Sequence, residues 1–83
     1  MIKGNEMVKN SEIQTEFNIF SEGFALYKEL LPVHCNTDDA YWHDVFQKFD
    51  DLCKKYNCTF CNEYVQFLQR DMERRAKEVS RNE

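Results

Sequence analysis

Apolar residues recur at steps of three and four along three stretches of the chain, the spacing of amphipathic helices. In the middle stretch they are Trp42, Val45, Phe46, Phe49, Leu52, Cys53 and Tyr56. At about 100° per residue, these side chains fall within roughly one third of a helix surface. Thr37 is a suitable N-cap, and Asn57 tolerates the left-handed conformation that follows many helices. The pattern predicts a helix over 38–56.

The first stretch, 11–31, carries two apolar stripes. The longer one consists of Ile13, Phe17, Phe20, Phe24, Tyr27 and Leu31, and it predicts a seam packed along the whole helix. The second stripe, about 120° away, consists of Ile19, Leu26 and Leu30. A helix that touches two neighbours needs both stripes, and so wide an apolar surface also allows a homodimer through this helix.

The ends of this first helix are marked by local signals. Ser11 and Gln14 have the spacing of a capping box, and Pro32 disfavours helical conformation at Leu31. Gly23 lowers helix stability by roughly 1 kcal/mol relative to Ala. It therefore marks a kink, a close helix crossing or a break into two helices.

The third stretch predicts a helix from about 60 to 80. Its inward face consists of Cys61, Tyr64, Val65, Leu68, Met72, Ala76 and Val79. The connections 32–36 and 57–59 are short, which favours antiparallel neighbours. We therefore expect an all-α, up-down-up three-helix bundle over 11–80, preceded by a frayed, flexible leader over 1–10. Flanking helices of about 20 residues disfavour a helix-turn-helix DNA reader.

The composition suits a small aromatic core. The 83 residues include seven Phe, four Tyr and one Trp, but only two Gly and one Pro. A net charge of −4 does not favour general nucleic-acid binding. No apolar run approaches the ~20 residues of a membrane span, and 1–10 lacks the apolar centre of a signal peptide. We expect a cytoplasmic protein with reduced thiols and no membrane contact.

The cysteines offer one candidate metal or thiol site. Cys53, Cys58 and Cys61 have the spacing C-x4-C-x2-C, and Cys58 and Cys61 stand at a helix start, where a thiol pKa can fall. However, a helix over 38–56 is about 28 Å long, which separates Cys35 from the other three. Cys53 and Cys61 also lie on predicted core faces, where free Cys behaves as a small hydrophobe. We expect no metal or cofactor and keep the three-cysteine site as an alternative.

The remaining polar residues give no pattern typical of catalysis. His34 and His43 have no neighbouring nucleophile motif, and the chain has no glycine-rich phosphate loop. Asp38 and Asp39 suit a helix start, whereas Asp44, Asp50 and Asp51 precede lysines by four residues, a stabilising spacing. We expect a protein without enzymatic activity.

The third helix carries the most informative exposed feature, a cationic stripe with aromatic neighbours. Its residues are Phe60, Phe67, Arg70, Arg74, Lys77 and Arg81. Aromatic residues and Arg are enriched at protein interfaces, and the same cations could hold phosphates. The stripe is also compatible with an ordinary solvated surface, because cations near a helix C-terminus complement the helix dipole. Asp71–Arg75, Glu73–Lys77 and Arg74–Glu78 have the spacing of surface ion pairs.

Three segments of the sequence have a familiar pattern: Ala40-Tyr41-Trp42-His43-Asp44, Lys54-Lys55-Tyr56-Asn57 and Asp71-Met72-Glu73-Arg74-Arg75. Residues 40–78 thereby resemble small uncharacterised all-helical proteins encoded by phages and conjugative elements of Gram-positive gut bacteria. The resemblance implies a bacterial accessory protein and carries over no catalytic residue. Proteins of such elements often bind a host protein, including as inhibitors of host defence.

These observations give three hypotheses. The first is a protein-binding module that sterically occupies a host protein, using the outer face of the third helix. The second is a nucleic-acid-associated regulator that uses the same cations, which the acidic net charge disfavours. The third is a thiol or metal-binding protein centred on Cys53, Cys58 and Cys61.

Overall fold

A computed structural model of the chain describes residues 9–81. A short 3₁₀ turn, Asn10–Ile13, leads into three α-helices: α1 (Gln14–Leu30), α2 (Asp39–Tyr56) and α3 (Thr59–Arg81). All three pairs of helices are in contact, and residues 9–81 contain no strand. The predicted all-α class is confirmed. The leader predicted over 1–10 falls almost entirely on residues outside the described part.

Contacts between side chains fix the direction of each helix. Lys48 contacts Glu29 and Lys55 contacts Glu22, so α1 and α2 run antiparallel. The ring of Tyr64 packs on that of Phe20, and later in both helices the Tyr27 hydroxyl donates to Asp71. α1 and α3 are therefore parallel, and the up-down-up topology is confirmed.

The C-terminal end of α2 lies where the sequence predicts it, whereas its N-cap differs from the predicted residue. The N-cap is Asp38 rather than Thr37: the Asp38 carboxylate accepts a hydrogen bond from the Tyr41 N–H at 3.2 Å. The Thr37 hydroxyl lies 3.1 Å from Cys35 Sγ instead. At the other end, Asn57 has φ 43° and ψ 58°, and its N–H donates to the Cys53 carbonyl at 2.7 Å, as expected for a left-handed helix stop.

α1 starts later than predicted and ends as predicted. Its first regular residue is Gln14 rather than Ser11, because the preceding residues form the 3₁₀ turn. There Glu12 accepts a hydrogen bond from the Lys9 N–H at 3.2 Å; the Ser11 side chain lies outside the described part. Leu31 is extended, with ψ 151°, immediately before Pro32.

The core contains twelve buried apolar residues from the three helices and the α1–α2 connection. They are Ile19, Leu30, Val33, Trp42, Val45, Phe49, Leu52, Cys61, Val65, Leu68, Met72 and Ala76. The predicted inward faces of α2 and α3 are confirmed at their central positions. Phe46 is the exception on α2, since 45% of its surface remains exposed.

The predicted packing of α1 is wrong about which stripe is the main seam. Ile19, Gly23 and Leu30 are buried, whereas Ile13, Phe17, Phe20 and Phe24 are 41–52% exposed. On the buried side, the ring of Tyr64 packs closely against Gly23, where a Cβ atom would lie only 2.6 Å from Cε2 of Tyr64. Gly23 therefore makes room for this ring of α3, and α1 does not break there.

Within residues 9–81, none of the helices combines the length and the apolar character required to cross a bilayer.

Candidate binding surface

Phenylalanine is distributed unusually between the core and the surface of this protein. The chain has seven phenylalanines, and only Phe49 is buried. The other six are each 43–62% exposed: Phe17, Phe20, Phe24, Phe46, Phe60 and Phe67. Scattered exposed apolar residues are normal, but a contiguous patch usually marks an interaction site. Where these rings lie relative to one another therefore matters.

Three of the six rings, Phe20, Phe24 and Phe60, cluster with Tyr64 along the seam between α1 and α3. Helical spacing puts Phe17 on the same stripe of α1 and Phe67 on the same stripe of α3. We call this surface the aromatic face; it consists of Ile13, Phe17, Phe20, Phe24, Phe60, Tyr64 and Phe67. Tyr64 joins the two helices, with its ring centroid 5.7 Å from that of Phe20 and 6.4 Å from that of Phe60. Phe24 continues the cluster along α1, 6.0 Å from Phe20. Phe46 lies apart, next to Trp42 on α2.

The aromatic face is exposed because no further helix of the described chain covers it. On α1, its side chains project about 110° away from the buried side that contains Ile19 and Gly23. A phenylalanine offers about 200 Å² for burial. Five rings at 43–62% exposure therefore leave on the order of 500 Å² of apolar surface. This lies within the range of the largest patch on a typical monomer, about 300–600 Å², which is often functional.

A set of cations, which we call the cationic rim, extends along the outer side of α3 beyond the aromatic face, and its Lys77 lines a groove with Asp39 and Glu73 on the α2 side. The rim consists of the four predicted residues Arg70, Arg74, Lys77 and Arg81, all exposed. Among residues 9–81, Arg70, Lys77 and Arg81 form no ion pair, so the expected Glu73–Lys77 pair is absent. Arg74 differs, because it lies 2.7 Å from an Asp71 oxygen and 3.6 Å from one of Glu78. Within residues 9–81, three of the four cations therefore have no carboxylate partner.

A polar cluster locks α1 onto α3 beside the aromatic face. The Asp71 carboxylate accepts hydrogen bonds from the Tyr27 hydroxyl, from Arg74, and from Arg75 Nε at 2.8 Å. The bond from Tyr27 and those from the two arginines hold the pKa of Asp71 well below its usual value. Burial, followed by the bond to Asp71, raises the pKa of Tyr27. The cluster fixes the relative position of the two helices that build the face.

Acidic side chains concentrate on the other sides of the bundle. α2 and its cap contain five aspartates: Asp38, Asp39, Asp44, Asp50 and Asp51. The α1–α2 seam is closed by Lys48 with Glu29 and by Lys55 with Glu22, both at 2.9 Å. The predicted pair Asp51–Lys55 does not form, because Lys55 reaches across to α1 instead. The chain is acidic overall, and α3 carries exposed Glu63, Glu73 and Glu78 as well as its cations.

Two of the cysteines, Cys53 and Cys61, pack with the core. All four are free thiols. Cys61 is fully buried, with its Sγ 3.8 Å from the Leu52 carbonyl, and burial raises its pKa to about 12. Burial also raises the pKa of Cys53. The hypothesis of a thiol activated at the start of α3 is therefore wrong for Cys61, because desolvation disfavours the thiolate.

Neither a metal set nor a histidine-based site is assembled in the described part of the chain. Across residues 9–81, no three or more His, Cys, Asp and Glu side chains form a group that could hold a metal ion, and this includes Cys53, Cys58 and Cys61. His34 stacks on Tyr41, with ring centroids 4.1 Å apart, and its Nδ1 lies 2.7 Å from Asp38. It thereby supports the start of α2. His43 lines an open groove between α2 and α3.

The α3 half of this surface was predicted from the sequence, and the α1 half was missed. Ile13, Phe17, Phe20 and Phe24 follow a helical period, so periodicity alone assigns them to the core. The available signal was the width of the apolar surface on α1, which also allows an interface through this helix.

No family model, curated protein or solved structure matches the chain. The functional assignment therefore depends on the surfaces described above.

Proposed function

We propose that the protein is a non-enzymatic protein-binding module whose contact surface is the aromatic face with its cationic rim. The observation that carries this proposal is the set of five exposed phenylalanines on the aromatic face, of which Phe20, Phe24 and Phe60 cluster with Tyr64. A ring left half in water contributes only part of its burial energy to the fold, whereas a bound partner would bury the rest. Aromatic and arginine side chains are also the residue types that dominate binding energy at protein interfaces.

The proposed mechanism is steric occupation of a partner's surface. The phenylalanines supply the buried area, while Arg70, Lys77 and Arg81 supply charge-assisted hydrogen bonds. The helices that present these residues are held in place by the Asp71 cluster and by the close contact of the Tyr64 ring with Gly23. A rigid surface loses little conformational entropy on binding.

The resemblance of residues 40–78 supports a biological setting. We propose that the protein is an accessory or inhibitory protein of a bacterial mobile element, that it acts in the cytoplasm, and that its partner is a host protein. This setting makes the host lysate the proper source for the partner.

A nucleic-acid-associated regulator is the second candidate, favoured by one observation. Cations next to exposed aromatic rings can bind a single strand, with bases stacked on the rings and phosphates on the cations. The net charge of −4 counts against this candidate.

The proposed function is tested by a tagged pull-down from nuclease-treated host lysate, with three baits compared by mass spectrometry. The face variant is Phe17→Ser/Phe67→Ser, chosen because these two rings are the most exposed. The control is Phe46→Ser, an exposed phenylalanine outside the face. We expect one protein near stoichiometric amount with the wild type and the control, and its loss with the face variant. Equal capture by all three baits would refute the aromatic face as the contact surface.

A further inference from the structure

We infer that, in the absence of another partner, the aromatic face is covered by the aromatic face of a second copy of this chain, in an antiparallel two-fold dimer. Such a dimer uses the surface of the proposed function and goes beyond it, because a host protein would have to displace the second copy. Three observations support the dimer: the spacing of the exposed stripe on α1, the area of the face, and the positions of the charges beside it.

The exposed stripe of α1 belongs to a seam with coiled-coil spacing. Its positions alternate steps of four and three, the heptad pattern of helices that pack side by side. They are Ile13, Phe17, Phe20, Phe24, Tyr27 and Leu31. Tyr27 and Leu31 pack against the core, whereas the first four are 41–52% exposed. The N-terminal half of this seam is thus uncovered within residues 9–81, and α1 of a second copy has the matching spacing.

The area of the aromatic face is sufficient for a homodimer. Its five phenylalanine rings expose on the order of 500 Å² of apolar surface. Because homodimer interfaces are about 65% apolar, this amount corresponds to roughly 800 Å² buried per copy, the size of one side of a standard interface. Two aromatic faces therefore supply the area of a specific interface without any other surface of the bundle.

The charges beside Phe67 are of both signs. Glu63 precedes Phe67 by four residues and Arg70 follows it by three, so both lie within about 60° of it around α3. Both are exposed, and neither forms an ion pair within residues 9–81. A partner surface of one sign would meet one unfavourable charge here, whereas a copy related by a two-fold axis can present the opposite sign to each.

An antiparallel two-fold arrangement forms both of these pairs. Glu63 and Arg70 are separated by about 10 Å along α3, with Phe67 between them. When the two copies of α3 run antiparallel and the axis passes beside Phe67, Glu63 of each copy faces Arg70 of the other. Two identical ion pairs then flank the apolar contact, as expected for an isologous interface.

The same axis brings together the exposed rings of α1. Tyr27 contacts Asp71, and the residues of α1 and α3 that are 44 positions apart are level with each other. An axis beside Phe67 therefore passes between Phe20 and Phe24. Each Phe20 then lies near Phe24 of the second copy, so the rings of the two copies are buried together.

A parallel two-fold arrangement is disfavoured by charge. It would place α1 of one copy against α3 of the other at the same level. Lys28, an exposed cation without an ion pair within residues 9–81, would then lie beside Arg70 of the second copy. Because juxtaposed like charges are repulsive, the charges favour the antiparallel arrangement.

The dimer should be weak enough for a host protein to displace it. Interfaces of standard size range from micromolar to picomolar affinity, and a net charge of −4 on each copy favours the weak end. The monomer then prevails below micromolar concentration. Unfolding of the face variants at such concentrations reports the stability of the monomer alone.

Sedimentation velocity tests the dimer over a series of concentrations on both sides of micromolar. We expect the wild type to change from monomer to dimer along the series. Glu63→Arg and Arg70→Glu each place like charges opposite one another, so each variant should self-associate at least about tenfold more weakly. An equal mixture of the two variants should associate again, because one copy is then positive and the other negative at both positions. Glu73→Arg, an exposed residue on the α2 side of α3, is the matched control and should dimerise like the wild type.

Three results would overturn the inference. A wild type that stays monomeric at every concentration would leave the aromatic face to an unrelated partner. A dimer that persists in Phe17→Ser/Phe67→Ser would be formed by another surface. Mixed charge variants that associate no better than either variant alone would exclude the antiparallel pairing of Glu63 with Arg70.

The proposed function is decided separately by the pull-down. A wild type that is always monomeric, yet captures a host protein through the aromatic face, would refute the dimer and keep the proposed function. A dimer with restored association in the mixture, but no host protein captured, would keep the dimer and refute the proposed function.

Discussion

The two apolar stripes of α1 have opposite outcomes. The stripe through Ile19, Gly23 and Leu30 is buried, whereas the stripe through Phe17, Phe20 and Phe24 remains about half exposed. The larger side chains are the ones left in water. Hydrophobicity alone therefore does not decide which side of a helix enters the core. Gly23 lies on the buried side, where the Tyr64 ring of α3 packs closely against it.

The same contrast holds between individual phenylalanines. Phe49 of α2 is completely buried, whereas Phe67 of α3 is 62% exposed. Phe49 stabilises the fold through contacts on every side, whereas Phe67 would gain most of its contacts only from a partner. Substitutions at the two kinds of position should therefore have very different effects on unfolding.

The largest expected effect is at Phe49. Phe49→Ala should lower the free energy of unfolding by about 3–5 kcal/mol, since it removes a fully buried ring and leaves a cavity. Phe46→Ala, one turn earlier on the same helix and 45% exposed, is the matched control. Phe46→Ala should lower the free energy of unfolding by about 1 kcal/mol or less. Denaturant unfolding followed by circular dichroism measures both, and equal losses would remove the distinction between core and surface rings.

The next effect is at Asp71, which ties α3 to the side of α1 that carries the exposed stripe. Asp71→Asn should lower the free energy of unfolding by roughly 1–2 kcal/mol at neutral pH, because charge-assisted bonds from Tyr27 and Arg75 are weakened. The folded state lowers the pKa of Asp71, so its contribution is present above the unfolded pKa of about 4 and is lost as pH falls. The difference between wild type and variant should therefore shrink below about pH 4. A difference that is constant from pH 7 to pH 3 would contradict the role of its charge.

A smaller effect tests the close contact between Gly23 and the Tyr64 ring. In the wild type, Gly23→Ala should lower the free energy of unfolding by about 1 kcal/mol. The new Cβ meets the Tyr64 ring, and that ring is held in place by Phe20 and Phe60. In a Tyr64→Ala background, the same change should raise the free energy of unfolding by about 1 kcal/mol, because Ala has a higher helix propensity than Gly. Unfolding of the four proteins forms a double-mutant cycle. Stabilisation of equal size in both backgrounds would mean that Tyr64 does not set the packing of α1.

The sequence was sufficient for the fold wherever a helix has one apolar stripe. α2 and α3 each have one, so their burial and their antiparallel packing could be predicted from period and loop length. α1 has two, and periodicity does not rank them. The packing of the Tyr64 ring against Gly23 distinguishes them, and that contact appears only when the helices are packed together. At the start of α2, Thr37 and Asp38 are adjacent and both suitable as caps, so the choice also depends on local geometry.

The candidate surface was predictable in part for a similar reason. Phe60 and Phe67 could be placed beside the cations of α3 because they lie off the centre of its single apolar stripe. Their junction with Phe20 through Tyr64 depends on the parallel packing of α1 and α3, which joins residues 44 positions apart. The ion pairs show the same limit: pairs within a helix, such as Asp50–Lys54, follow from spacing. The contact of Lys55 with Glu22 requires the tertiary structure.

The central claim is that the aromatic face contributes little to folding and is therefore free to serve binding. It is tested most directly by the unfolding free energy of Phe17→Ser/Phe67→Ser, measured alongside Phe49→Ala on the purified protein. We expect the double variant to lose about 1 kcal/mol or less, because exposed substitutions usually stay within about 0.5 kcal/mol each. A loss as large as that of Phe49→Ala would show that these rings stabilise the core, and it would contradict the claim.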